Sequence, residues 1–477
     1  MARILTRAYR RRGKIWATLA AATLAVTAFT PPAEAAPDRL SVDTYALPIG
    51  VKPPTLSELQ RPGYLARLGK SLERQRLEAG QGEIAGPAAS LLSEEKGSGV
   101  RSSTPPVQTG NGGTYPDPPR SMSDKECHKN LNNGLFYFKS RFAMCGALQL
   151  LQVWGRNGRP VGESGFMVTV LGTVPDAKDR SVRFDYHFSN FAATGNTKTS
   201  GLIVNTKVEQ TILVSHARKR ESGLIPPKKS FDALRAAPNY RHNVIFDAGQ
   251  GAKPDDLITM AYDPSVSVKY PTGYVGTNPG PERVTFTAMN WDAAPYLPNS
   301  RASDPKKRGG VAFANKATLH YSSKQGAPEK AVADHLKLAH TNPSKTKPPN
   351  SHKNVPGFEL KRPLHRLYPD RDKSRYRANR RTAVRMCVTY WGKDYATSDP
   401  AGPRECDEYP FASTYEGAGQ HSKEPSAPKD NFSALPIPKA QNKAGGTILA
   451  LFYDKNRILH GRDSKGKEVD AYLMTID

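Results

Sequence analysis

The four cysteines fall as two local pairs, Cys127 with Cys145 and Cys387 with Cys406, and this spacing constrains the fold more than any other feature of the chain. Four cysteines admit more than one connectivity. In an exported chain, however, cysteines separated by just under twenty residues are expected to bond their near neighbours. Each bridge would close a short loop, worth about 3 kcal/mol in the loop-entropy picture. The length of the chain allows roughly two or three domains at about 150 residues each. A zinc site is the weaker reading, because no C-x-x-C spacing occurs and none of the 11 histidines forms H-E-x-x-H.

Export is read from the N-terminus. Arg7, Arg10, Arg11, Arg12 and Lys14 precede the apolar run Trp16–Phe29, which is followed by Pro-Pro-Ala-Glu-Ala-Ala. This order of charged, apolar and small residues is that of a secretory leader, residues 1–36, cleaved near Ala35 or Ala36. No later run approaches the ~20 apolar residues of a membrane helix, so a secreted, unanchored and monomeric protein is expected. The formal charge of +25 favours polyanionic partners. Nucleic acid, a cell-wall polymer or anionic head groups would all answer, and a merely solvated basic surface remains the bland alternative.

Residues 37–119 are rich in Pro, Gly, Ser and charge and read as a flexible linker or pro-region. The helical pattern at Leu56–Leu77 has apolar positions too sparse for a core-facing stripe. Residues 120–323 carry short alternating runs punctuated by Gly and Pro, such as Leu148–Trp154, Ser181–Phe188 and Val311–Tyr321. That punctuation predicts an antiparallel, sandwich-like β domain. No catalytic constellation is visible in it, so it is expected to be dispensable for chemistry.

Residues 324–477 turn helical: Pro328 to His340 is stopped by Asn342-Pro343, and a basic helix is predicted over Lys373–Arg385. Between that helix and a last helix around Asn442 lies RECDEYPFASTYEG, Arg404–Gly417, with four carboxylates, a Pro and three aromatics around Cys406. Carboxylates at a rigid turn are tunable by burial and neighbours, although a solvated acidic turn would look the same. Asn442 stands where a helix begins and could serve only as its cap. Gly445-Gly446 costs that helix about 1 kcal/mol per glycine relative to alanine, which asks for a close approach.

Taken together, PLHRL at Pro363–Leu367, the Asn379-Arg380 pair, Cys387, the CDEYPFASTYEG run, and Asn442 followed by Lys-Ala-Gly-Gly resemble the NucA/NucB deoxyribonucleases. The resemblance covers roughly the last third of the chain. It implies a multidomain protein ending in an α+β nuclease domain of ββα-metal type, in which two strands and a helix hold one divalent cation, Mg²⁺ or Mn²⁺, against the scissile phosphate of DNA. It further implies Asp407 as general base and Asn442 as metal ligand through its amide oxygen. Glu408 and Glu416 become catalytic carboxylates that hold metal-bound water or orient the base, and Arg404, Arg380 and Arg381 become phosphate contacts. Gln441 and the Glu405-Cys406 spacing between Arg404 and Asp407 depart from some relatives. Two other readings share the domain: a secreted wall- or DNA-binding protein with an inactive nuclease fold, and a toxin matched by an inhibitor protein.

Overall fold

Between Ala143 and Lys269, long runs of alternating and β-branched residues find backbone partners in register. The computed structural model describes residues 38–78, 113–131, 136–176, 180–278, 280–299 and 309–477. The expected leader and residues 79–112 of the expected linker lie outside the described residues. An 8-stranded sheet runs in the order Tyr274–Val275, Leu40–Leu47, Ala143–Arg156, Arg159–Thr173, Ser181–Gly195, Asn239–Phe246, Lys219–Gly223, with Phe136–Ser140 beside Ala143–Arg156. A 6-stranded sheet runs Gly310–Phe313, Met289–Asp292, Ile258–Lys269, Ile203–Ile212, Lys229–Ser230, with Glu282–Arg283 beside Ile258–Lys269. The two faces meet in one core, where Phe184 stacks on Tyr262 at 3.6 Å and Phe246 meets Trp291 at 4.7 Å. The expected antiparallel sandwich is present, with Leu40–Leu47 and Tyr274–Val275 as a parallel pair at its edge.

Three boundaries differ from the sequence reading. Leu40–Leu47 is not linker: it pairs antiparallel with Ala143–Arg156, Leu40 opposite Arg156 and Leu47 opposite Gln149. The helices Leu56–Leu59 and Tyr64–Glu78 follow, and Leu59, Leu65, Leu68 and Leu72 cover Leu151 and Val153. A sparse apolar pattern suffices because these helices shield one patch of a sheet rather than a whole core. Gly113–Pro119 is likewise structured: Tyr115 is buried against Phe452 and donates its hydroxyl to the Thr318 carbonyl at 3.2 Å. Finally, Val311–Tyr321 is two strands in two different sheets, turned at Ala314–Lys316.

The second of those strands, β1 (Ala317–Tyr321), pairs in parallel with the last, β4 (Tyr472–Ile476), and so belongs with the C-terminal core. Around this pair lie α1 (Lys330–Thr341), α2 (Lys373–Trp391), the antiparallel hairpin β2 (Arg404–Tyr409) and β3 (Ser433–Pro438), and α3 (Lys439–Lys455). Gly445 accounts for one of the two costly glycines: a Cβ there would come within 2.8 Å of Val332 Cγ2 on α1, whereas Gly446 faces open space. Both disulfides join near neighbours as expected, Cys127–Cys145 in the sandwich and Cys387–Cys406 between α2 and β2. Among the described residues no helix is long and apolar enough to cross a membrane.

The sandwich and the C-terminal core share buried ion pairs. Arg141 of the sandwich meets Asp470 at 2.8 Å, and Arg457 after α3 meets Asp292 of the sandwich at 2.6 Å, all four side chains nearly inaccessible. Tyr296 stacks on Tyr368 at 4.2 Å across the same seam. Residues 39–477 therefore close into one unit, and the sandwich is a structural partner of the C-terminal core, not a detachable appendage. A chain starting near Gly310 would strip Arg457 and Asp470 of their partners and bare the apolar seam. As a point test, Asp470→Asn leaves Arg141 enclosed without its counter-charge. Urea denaturation should show a loss of about 3–5 kcal/mol; a midpoint equal to that of the unmodified protein would refute the role of this pair.

Candidate active site

Strand alternation organises the site. Side chains on β2 point in turn to opposite faces of the hairpin. Cys406 and Glu408 face α2, which they meet through the Cys387 disulfide and through Arg380. Glu405 and Asp407 face the other way, toward α3 and α1. The hairpin is thus held between one helix carrying cations and two carrying polar groups.

On the α1 side, Asp407 is buried and its Oδ2 lies 2.7 Å from His335 Nδ1. His335 Nε2 lies 2.7 Å from the Ser433 hydroxyl on β3. A neutral imidazole satisfies both contacts, with Nδ1–H donating to the carboxylate and the serine hydroxyl donating to Nε2. The order Ser–His–Asp is that of a hydrolase triad. Ser433, however, is only 1% exposed, so no substrate reaches its oxygen, and the chain of bonds serves to orient Asp407. Asp407 Oδ1 has no hydrogen bond among the described residues. Nearby, Asn442 donates from Nδ2 to Glu405 Oε2 at 3.0 Å. Asn442 is the fourth residue of α3, whose cap is Pro438, so its amide is not spent on capping.

On the α2 side, Glu408 is enclosed. Burial pushes its carboxyl up to about 7, against the attraction of Arg380 at 2.9 Å. Desolvation prevails because Arg380 is itself open to water on one side, which screens the pair. Glu408 Oε2 is buried with no hydrogen bond among the described residues. Glu416 stands apart from both. Its two oxygens take the backbone N–H of His365 at 3.0 Å and the ring Nδ1 at 2.8 Å, while His365 Nε2 reaches Glu468 at 2.9 Å. Arg375 and Arg462 both reach Glu424, at 2.8 and 3.4 Å, and both lie over the Tyr415 ring. Beneath this network Asn379 pins the loop after β2: it donates to the carbonyls of Ala412 and Thr414 and accepts from Gly419 N–H. Gly417 is required there, since a Cβ would fall 2.4 Å from Asn379 Nδ2.

Among the sequence-named residues, Asp407 and Asn442 share one face of the hairpin, linked through the flanking Glu405. Glu408 lies on the opposite face and Glu416 in the His365 network. Arg404 is engaged by Asp399 and by the Pro436 carbonyl at 3.0 Å; Arg380 is engaged by Glu408; Arg381 points to solvent. Sequence reasoning missed His335, Ser433, Glu405 and Glu468. His335 carried only a helical signal, and nothing local to it names an acid 72 residues away.

The domain is thus an acidic hairpin closed by a following helix, with a cation-rich helix across its back. Residues 359–464 match the family described as Deoxyribonuclease NucA/NucB, and the C-terminal part of the chain is a deoxyribonuclease domain of that family. The matched segment contains Asp407, Glu408, Glu416 and Asn442. No curated protein and no solved structure matches the chain.

The His365 network should appear in the pH dependence of stability. Burial alone would lower the imidazole, but hydrogen bonds to Glu416 and Glu468 outweigh it and raise it to about 9. Glu468, bonded to His365, is lowered to about 2. The His365 contribution is therefore complete below its ordinary 6.5 and is lost as pH rises through about 9. The Glu468 contribution is complete above its ordinary 4.5 and is lost as pH falls through about 2. Melting temperature should decline between these two histidine values, and His365→Gln should flatten that decline. An identical slope in the variant would show that the network does not titrate in this way.

Proposed function

We propose that the protein is a secreted, divalent-cation-dependent, sequence-nonspecific endonuclease that hydrolyses DNA phosphodiester bonds, with Asp407 as general base and Asn442 as metal ligand. The observation that carries this reading is the shared hairpin face, where Asp407 is oriented by His335 while the Asn442 amide, through Nδ2, is held on the Glu405 carboxylate in the first turns of α3. Among the described residues no three His, Cys, Asp or Glu side chains gather at ligand spacing. A cation resting on a few protein oxygens and keeping most of its water fits such a site, as Mg²⁺ and Mn²⁺ do. Asn442 and Glu405 would hold it, and it would neutralise charge developing on the phosphorane and on the leaving oxygen.

The chain's own residues supply the rest. His335 occupies Oδ2 of Asp407, which leaves Oδ1 to take the proton from the attacking water. Arg381 stands free to meet a phosphate. Arg380 and Arg404 contribute positive potential from their engaged positions, while Glu408, turned to the α2 side, and Glu416, held by His365, support the hairpin and its following loop and do not reach the water or the base. Export accords with the two disulfides.

The two central roles separate by experiment. Asp407→Asn keeps shape but removes the proton acceptor, so plasmid cleavage should fall by about 10²–10⁴-fold while calorimetric metal affinity stays near that of the unmodified protein. Asn442→Ala should weaken both metal binding and cleavage, with partial recovery at high Mg²⁺ or Mn²⁺. Unchanged cleavage by the first variant, or unchanged metal affinity of the second, sinks the corresponding assignment.

A further inference from the structure

The outer face of α2 extends well beyond Arg381, the one residue of it that the proposed site uses. This 19-residue helix contains five arginines and a lysine and no Asp or Glu. Arg375 and Arg380 turn inward to Glu424 and Glu408. Arg377, Arg381 and Arg385 are exposed, and no ion pair reaches them from the described residues. They step by four residues, so they form one row with guanidinium anchors about 6 Å apart. Val388 continues that face and Trp391 flanks it, 40% and 38% exposed, while Tyr390, 39% exposed, projects about 100° round the helix from Trp391. Tyr390 and Trp391 meet edge to face at 6.1 Å, and Lys347 Nζ sits 5.1 Å from the Tyr390 ring.

We propose that this face is a binding track for single-stranded DNA, the arginine row taking successive phosphates and the Tyr390–Trp391 pair stacking on an unpaired base. Charge complementarity selects a polyanion, because the helix carries no carboxylate to compete. The aromatic pair selects among polyanions. Exposed rings at the end of a cationic row reward a ligand with free π-faces, which a single strand presents and an intact duplex hides. The row runs along the helix that Cys387–Cys406 ties to the back of the strand bearing Asp407. The inference rests on the domain being a DNA hydrolase, and it names the form of DNA that the surface favours.

Of the 4 tryptophans, Trp154 and Trp291 are fully enclosed, and the Trp391→Ala variant separates the Trp391 signal from that of Trp16. The titration uses the full chain carrying Asp407→Asn, without divalent cation, so that it reads binding and not cleavage. A thymidine oligonucleotide should quench the fluorescence, and Trp391→Ala should remove that quench and weaken binding about tenfold. Arg377→Ala, Arg381→Ala and Arg385→Ala together should lower the slope of log affinity against log salt by about 2, at ~0.7 per phosphate contact on a single strand. A duplex of equal phosphate content should quench several-fold less. The proposal is overturned if duplex and single strand quench alike, if an aromatic-free polyanion such as polyphosphate quenches as the oligonucleotide does, or if the triple variant keeps the parent salt slope. Cleavage by the Asp407→Asn chain in a separate assay with Mg²⁺ would count against the base assignment while leaving the cation-free binding result readable.

Discussion

The Cys387–Cys406 bridge ties the cationic helix α2 to the strand that carries the acids, and most of the site follows from that tie. With Cys406 turned toward α2, the two-residue period of a strand sends Glu408 to the same side and Glu405 and Asp407 to the other. One carboxylate is thereby enclosed against an arginine and held near 7, while its neighbour in sequence is oriented by a histidine on the far side of the hairpin. Adjacent carboxylates acquire different surroundings from strand facing alone. Loss of the bridge would free the register of a six-residue strand whose pairing is otherwise only with β3.

The remaining polar groups of the domain act as supports. Asn379 is satisfied through three hydrogen bonds to the loop after β2, and that loop carries Glu416 into the His365 network. The support extends outside the family-matched segment. Arg457, just after α3, is neutralised by Asp292 of the sandwich, and Asp470 by Arg141. Removing one member of such an enclosed pair costs more than the pair contributes, which couples the sandwich to the domain that cuts. The sandwich supplies no visible base, yet it sets the surroundings in which the hairpin and α3 are held.

The reading from sequence was strongest where the signal is local. Asn342-Pro343 ends α1 as expected, and α2 begins at Lys373 and runs on to Trp391. Both cysteine pairs join near neighbours. It was weakest where partners are distant. Leu40–Leu47 looked like linker because the Pro-, Gly- and charge-rich stretch around it hid a strand whose Val42 and Leu47 are buried only once it pairs with a distant one. Val311–Tyr321 looked like one strand because alternation continues across the turn that divides it between sheets.

By itself the sequence determined which residues could carry the chemistry: an acid-rich turn, a cationic helix, an amide at the start of a last helix, and cysteines spaced for local closure. Those are properties of composition and short-range spacing, and they survive without knowledge of packing. Only the tertiary structure decided which acid faces which partner, that His335 and Ser433 stand behind Asp407, that Glu416 belongs to His365, and that buried charges bind the sandwich to the catalytic part. Such pairings join residues tens to hundreds of positions apart. They depend on how whole elements stack, because desolvation and strand facing arise from the assembled fold and from no single stretch of chain.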